Sequence, residues 1–165
     1  MNARRRHSYR LAGHDYSDSS HACFITLQTP LKGIQPGSVI VPSAPFTSCP
    51  ALGHIVDDAI HFYRAQGKLL VFAYVVMPDH VHLLVAPQYG HSLSTVLGSF
   101  ESYTTRMSWQ YGVCGGLRQR SFHDHILRRS VEAGEVVEYI MNNPVRAELV
   151  DDWHAWPWCG MPDPI

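Results

Sequence analysis

Leu69-Leu70-Val71-Phe72-Ala73-Tyr74-Val75-Val76-Met77-Pro78-Asp79-His80-Val81-His82-Leu83-Leu84-Val85-Ala86 is the stretch that decides the fold of this 165-residue chain. Residues 69–77 are almost unbroken apolar, long enough for a buried strand. Pro78-Asp79 interrupts the run, and residues 80–86 resume it as a second strand. Upstream, residues 22–28 read as a strand rich in aromatic and β-branched types. Between these strands, residues 51–66 read as a helix, with Ile55, Ala59, Phe62 and Tyr63 at three- and four-residue steps. Downstream, residues 93–111 read as a helix with Ser92 or Ser94 as cap, and residues 112–120 as loop. A last helix follows Ser130, with Glu132 near its positive end, and stops at Pro144. This order predicts an α+β sandwich, a mostly antiparallel sheet with helices packed on it.

The rest of the chain is punctuation. Residues 29–50 carry five prolines and two glycines, which predicts an irregular loop with a short strand at 38–41. Residues 153–165 read as coil wrapped over the domain, anchored by Trp153, Trp156 and Trp158. One domain over 1–165 is expected, with a basic arm at 1–21 and a Pro/Trp-rich tail at 151–165.

Apolar residues make up 45% of the chain and charged ones 16%, which excludes wholesale disorder. No CxxC pair occurs among Cys23, Cys49, Cys114 and Cys159, which disfavours a zinc ribbon. No apolar run approaches the roughly 18 residues that a membrane span needs. A cytoplasmic protein with reduced thiols and no membrane partner is the expected setting. The net charge is −1, which by itself disfavours a strongly basic nucleic-acid binder. Its distribution says otherwise. Arg4, Arg5, Arg6 and Arg10 fall within the first ten positions, and Arg118, Arg120, Arg128 and Arg129 form a second cluster. Residues 132–152 hold six acidic side chains and one basic one, Arg146.

His80-Val81-His82 places two imidazoles on one face of a strand, a geometry that can chelate a divalent metal. Spacing alone is weak evidence. Eleven histidines in 165 residues give about 0.7 such pairs by chance, and a second, His123-Asp124-His125, is present. Two hydrogen-bonded histidines of a half-buried strand fit the spacing equally well. The strongly apolar surroundings raise the first pair, because uncompensated imidazoles would be costly there. On the last helix Val137, Ile140 and Met141 share an apolar face, while Tyr139 points away beside Glu132, Glu135 and Asn143. Without further context Tyr139 reads as a surface tyrosine and Asn143 as the helix end.

Taken together, these segments resemble the IS200-like, single-tyrosine HUH transposase family, and within it the REP-associated tyrosine transposases. Residues 4–16 look like the family's opening, and Phe24-Ile25-Thr26 like its first strand. Residues 75–85 resemble its His-hydrophobe-His signature, residues 122–128 a later segment, and residues 139–150 its tyrosine helix and following turn. Asp79, Arg118, Ser121 and Glu148 depart from the usual pattern, Glu148 where glycine is common.

The resemblance implies a ferredoxin-like or RRM-like fold. It implies Tyr139 as nucleophile and His80, His82 and Asn143 as ligands of Mg²⁺ or Mn²⁺. It also implies a metal-dependent endonuclease and strand transferase acting on single-stranded DNA at REP-type palindromic hairpins, through a covalent phosphotyrosine. Arg4, Arg5, Arg6, Arg10, Arg118, Arg120 and Arg128 are candidate phosphate contacts. Tyr16, Tyr103 and Phe122 are candidate base-stacking residues, equally readable as core. A monomer or a homodimer would serve. Two rivals stand beside this reading: a non-catalytic hairpin binder on an RRM-like sheet, and an unrelated metallohydrolase using His80 and His82.

Overall fold

The computed structural model describes residues 21–29, 37–117, 123–127 and 130–165. Its elements, in chain order, are β1 (Ala22–Gln28), α1 (Pro45–Ser48), α2 (Pro50–Ala65), β2 (Leu69–Val76), β3 (His80–Pro87), α3 (Leu93–Ser108), β4 (His123–Leu127), α4 (Ser130–Met141), α5 (Asn143–Arg146) and β5 (Cys159–Gly160). The strands form one sheet in the order β4-β1-β3-β2-β5, antiparallel at every junction. The first four strands with α2 and α3 make the ferredoxin-like βαββαβ core that the family resemblance implies.

Both faces of this sheet are covered, which is why its two central strands read as continuous apolar runs. One face packs Ile25, Leu27, Val81, Leu83 and Val85 against Leu52, Val56 and Ala59 of α2 and Leu93, Leu97 and Phe100 of α3. The other face packs Ala73, Val75 and Leu84 against Ala133, Ile140 and Met141 of α4. Strict alternation along β2 fails at Phe72, where the register with β3 shifts between Val71 and Ala73. Such a bulge changes the phase of the pleat. Val71 and Tyr74 therefore share a face, and so do Ala73 and Val75. An apolar run cannot reveal this, because both phases are apolar.

Two expectations are corrected. Residues 38–41 form no strand, and α1 follows instead, seated by the buried Phe46. Residues 123–127, to which the sequence reading gives no element, form β4, paired with β1 from Ala22↔Leu127 to Thr26↔His123. The helix after Ser130 does stop ahead of Pro144, at Met141. The chain leaves α4 at Asn142 and restarts as α5, with Pro144 in the first turn, where its missing N–H costs nothing.

The second concerns the tail, which is structured rather than coil. It forms a short 3₁₀ turn at Trp153–Ala155 and then β5 on the open edge of β2. Trp156 Nε1 donates to the Val76 carbonyl at 2.9 Å, and Val76 N donates to the Trp158 carbonyl at 2.9 Å. Past β5, Asp163 continues the edge by accepting from Val71 N at 2.8 Å. Arg64 donates to both Asp163 carboxylate oxygens, at 2.9 and 2.7 Å, and this holds the Asp163 carboxyl below its usual range. Trp158 lies flush against Gly53 of α2, where an added Cβ would meet its ring at 2.7 Å. An edge that would otherwise expose strand donors and acceptors is thereby closed.

Glu148, the departure from the family's glycine, has φ 55°, the left-handed region. It lies just beyond α5, where Glu148 N donates to the Val145 carbonyl and Leu149 N to the Pro144 carbonyl, both at 3.0 Å. Helices commonly end this way, with glycine at the left-handed position. A glutamate there bears a steric cost of about 1–2 kcal/mol, only partly offset by the smaller entropy it loses on folding. Glu148→Gly is expected to raise stability by about 0.5–1 kcal/mol, read as a rise of roughly 1–4 °C in melting temperature. An unchanged or lower melting temperature would contradict the assignment of strain.

Candidate active site

The site forms on the sheet face covered by α4. Strand alternation sends His80 and His82 to this face, opposite Gln28 and Thr26 of β1. Their rings lie 4.6 Å apart. His82 is buried, at 6% exposure, and His80 sits closer to the rim. Each imidazole has its Nδ1 engaged by an oxygen. The Asp79 carboxylate lies 2.7 Å from His80 Nδ1, and the Thr26 hydroxyl 2.9 Å from His82 Nδ1. Both contacts leave Nε2 as the ring atom turned to other use. This is the arrangement that orients metal-ligating histidines. Burial, and then the charge of His80 nearby, lower the His82 pKa to about 3. His82 is therefore neutral at physiological pH, the protonation state that a ligand requires.

Tyr139 reaches the same place from α4. The apolar stripe of Ile140 and Met141 seats the helix on the sheet and leaves Tyr139 at the border, 38% exposed. Its ring lies 5.5 Å from that of His82 and meets Phe24 of β1 edge-on at 6.0 Å. Phe24 also packs on His82 at 5.3 Å. The Arg146 guanidinium covers the Tyr139 ring at 5.2 Å. Asn143 Nδ2 donates to the Tyr139 carbonyl at 3.3 Å, which turns Oδ1 away as the free acceptor.

Of the predicted site residues, then, His80, His82 and Tyr139 come together, and Asn143 stands one helical turn beyond the tyrosine. Among the described residues no cluster of three or more His, Cys, Asp or Glu side chains forms. His125 lies in β4, exposed and opposite Phe24. Tyr103 belongs to α3, on the other side of the sheet from His82. Arg4, Arg5, Arg6, Arg10, Arg118, Arg120, Arg128, Arg129, Tyr16 and Phe122 lie outside the described residues. Sequence reasoning missed three contributors: Thr26, Phe24 and Arg146. Thr26 and Phe24 share the alternation of a strand that was recognised, and only the pairing of β1 with β3 gives it meaning.

Comparison with known proteins defines the class. The family profile described as "Transposase IS200 like" matches residues 52–143, from α2 through the first residue of α5. That span is over half of the chain and encloses both imidazoles and Tyr139. The chain belongs to the IS200-like transposase family and is a DNA-processing enzyme of the transposase class.

The fold is similar to the solved structure of a REP-associated tyrosine transposase bound to a REP hairpin, with TM-score 0.66 and 19% identity over 96% of this chain and 82% of that one. A crystal structure of a candidate transposase from Deinococcus radiodurans R1 matches with TM-score 0.43 and 20% identity, over 81% of this chain and 95% of that one. No curated protein matches the sequence. Among the described residues no helix is long and apolar enough to cross a membrane.

Proposed function

We propose that this protein is an HUH-type transposase that cuts and rejoins single-stranded DNA at palindromic hairpins, with Tyr139 as nucleophile. The observation that carries the reading is the convergence of Tyr139 on the His80–His82 pair from a separate element, with its ring 5.5 Å from His82.

In the proposed reaction Tyr139 Oη attacks the scissile phosphorus. The P–O3′ bond breaks, the 3′ oxygen takes up a proton and leaves as 3′-OH, and the DNA 5′ end stays on Tyr139 as a phosphotyrosine. The phenolic proton passes to solvent, which reaches the half-exposed ring. The bond energy is retained, so a 3′-OH can reverse the step without ATP. A protonated phenol is a weak nucleophile, so the attack needs charge stabilisation at the phosphate to run at neutral pH.

His80 Nε2, His82 Nε2 and Asn143 Oδ1 would hold a divalent cation. Two neutral imidazoles with an oxygen donor suit Mn²⁺ well, and Mg²⁺ less readily. The bound ion supplies charge neutralisation at the phosphate oxygens. Asp79 and Thr26 keep the two rings aimed, and Phe24 and Arg146 bracket the nucleophile.

REP-type hairpins with single-stranded flanks are the proposed substrate, because the attack needs a strand that duplex pairing does not shield. The arginines of the arm and of residues 118–128 are proposed to grip the phosphates of the stem. The cytoplasm, with reduced thiols at Cys49, Cys114 and Cys159, is the proposed setting.

The test is incubation with labelled single-stranded palindromic DNA from the encoding locus, with Mn²⁺ or with EDTA. A DNA–protein adduct that survives denaturing electrophoresis, forms with Mn²⁺ and is absent with EDTA is expected. Tight hairpin binding with no adduct in Mn²⁺ would instead establish the non-catalytic binder.

A further inference from the structure

Arg146 is the one basic residue between positions 132 and 152, in a segment with six acidic ones. The fold places that lone cation on the face of the Tyr139 ring, 5.2 Å from its centroid. In one uninterrupted straight helix, residues seven apart lie two turns from each other. Here the helical path is interrupted at Asn142, between α4 and α5. Arg146 N donates to the Asn142 carbonyl at 2.9 Å, and the buried Pro144 anchors α5. Arg146 and Tyr139 also line one cavity of about 380 Å³, together with Glu135, Glu138, Asn142 and Val145. Although two carboxylates share that cavity, Arg146 makes no ion pair among the described residues. Its guanidinium lies on the Tyr139 ring instead.

We infer that Arg146 is a positioning residue for the nucleophile. Its planar guanidinium holds the Tyr139 ring in place, while Phe24 meets that ring edge-on and His82 packs beside it. These three contacts restrict rotation of a ring that is otherwise open to solvent, and so aim its oxygen at the imidazole pair. A reacting group misplaced by about 1 Å can lose two orders of magnitude in rate, so such a clamp matters even where it adds little stability. Lysine would keep the charge but not the flat face, and glutamine only a smaller, uncharged amide plane. The inference rests on Tyr139 being the nucleophile.

The test uses the full chain and compares wild type, Tyr139→Phe, Arg146→Gln and Arg146→Lys. Adduct formation is measured in single turnover at saturating DNA and Mn²⁺, and DNA affinity by fluorescence anisotropy. Arg146→Gln is expected to slow adduct formation about 10- to 100-fold while changing DNA affinity less than about threefold. Arg146→Lys should recover part of the loss. In metal-free, DNA-free protein carrying 3-fluorotyrosine, the ¹⁹F resonance that Tyr139→Phe deletes should shift in Arg146→Gln.

A wild-type rate or an unmoved resonance in Arg146→Gln overturns the clamp. A fall in affinity as large as the fall in rate also overturns it, because Arg146 would then be a DNA anchor. If Tyr139→Phe still forms the adduct, the nucleophile assignment itself fails and the inference falls with it. An inactive Tyr139→Phe beside a fully active Arg146→Gln sinks the inference alone.

Discussion

Replacing Tyr139 by Phe is expected to abolish the covalent DNA adduct, a loss of at least about 10³-fold, with hairpin binding and fold retained. The change removes one oxygen. The ring keeps its edge contact with Phe24, its packing on His82 and its cover by Arg146. Because Tyr139 is 38% exposed at the border of α4, no buried polar partner is stranded. The melting temperature should therefore stay within about 2 °C of wild type, since surface changes of this kind stay within about 0.5 kcal/mol. Adduct is read on labelled single-stranded DNA by denaturing gel, and binding by anisotropy. Adduct at the wild-type level in the variant would move the nucleophile elsewhere. Loss of binding together with adduct would make Tyr139 a recognition residue.

The second large effect concerns the imidazole pair, and here the two members should separate. His80→Ala and His82→Ala are each expected to weaken Mn²⁺ binding by 100-fold or more, since even second-sphere changes cost about 10- to 100-fold, and to abolish metal-dependent cleavage. Their stability costs differ. His82 is buried, packs on Phe24 and Tyr139 and takes up the Thr26 hydroxyl. His82→Ala should cost about 1–3 kcal/mol through the cavity and the stranded hydroxyl. His80 lies at the rim beside Asp79, and His80→Ala should cost under about 1 kcal/mol. Calorimetric Mn²⁺ titration and urea unfolding check both. Wild-type Mn²⁺ affinity in either variant would remove that residue from the ligand set.

Burial of His82 also sets a pH dependence in the metal-free protein. Its folded pKa of about 3 lies below the ordinary value of 6.5, first through burial and then through the charge of His80. Between those two values the unfolded chain binds a proton that the folded chain does not. Stability is thus fully present above about pH 6.5 and falls on acidification through the window, by at most about 1.4 kcal/mol per pH unit. Urea unfolding of His82→Ala should show a shallower pH slope than wild type between pH 4.5 and 6.5. Identical slopes would mean that His82 is not held neutral by its surroundings.

Much of this molecule is legible in its residues taken in order. Periodicity locates β1, β2, β3, α2 and α3 to within a few positions, because apolar spacing and strand alternation are local properties of the chain. The shared face of His80 and His82 follows from alternation alone. Less local features escape. β4 is five residues long and contains His-Asp-His, so only its pairing with β1 makes it a strand. β5 is two residues long and exists because the edge of β2 has donors and acceptors to satisfy. The shift at Phe72 is invisible in a run that is apolar in either phase.

The same division runs through the site. The identities of the imidazoles, the tyrosine and the asparagine, their spacings and the strand face of the histidines belong to the sequence. Periodicity on α4 turns Tyr139 away from the apolar stripe, which by itself describes a surface residue. Only the packing of α4 on the β2–β3 side of the sheet turns that direction into a line of approach to His82. The engagement of each Nδ1, by Thr26 across a strand pair and by Asp79 next door, also appears only in three dimensions. The physical reason is the range of the forces. Backbone geometry repeats over two to four residues and is written locally. Burying the two apolar faces of the sheet joins segments that no local rule connects, and that burial brings a helix-borne phenol to a strand-borne pair of imidazoles.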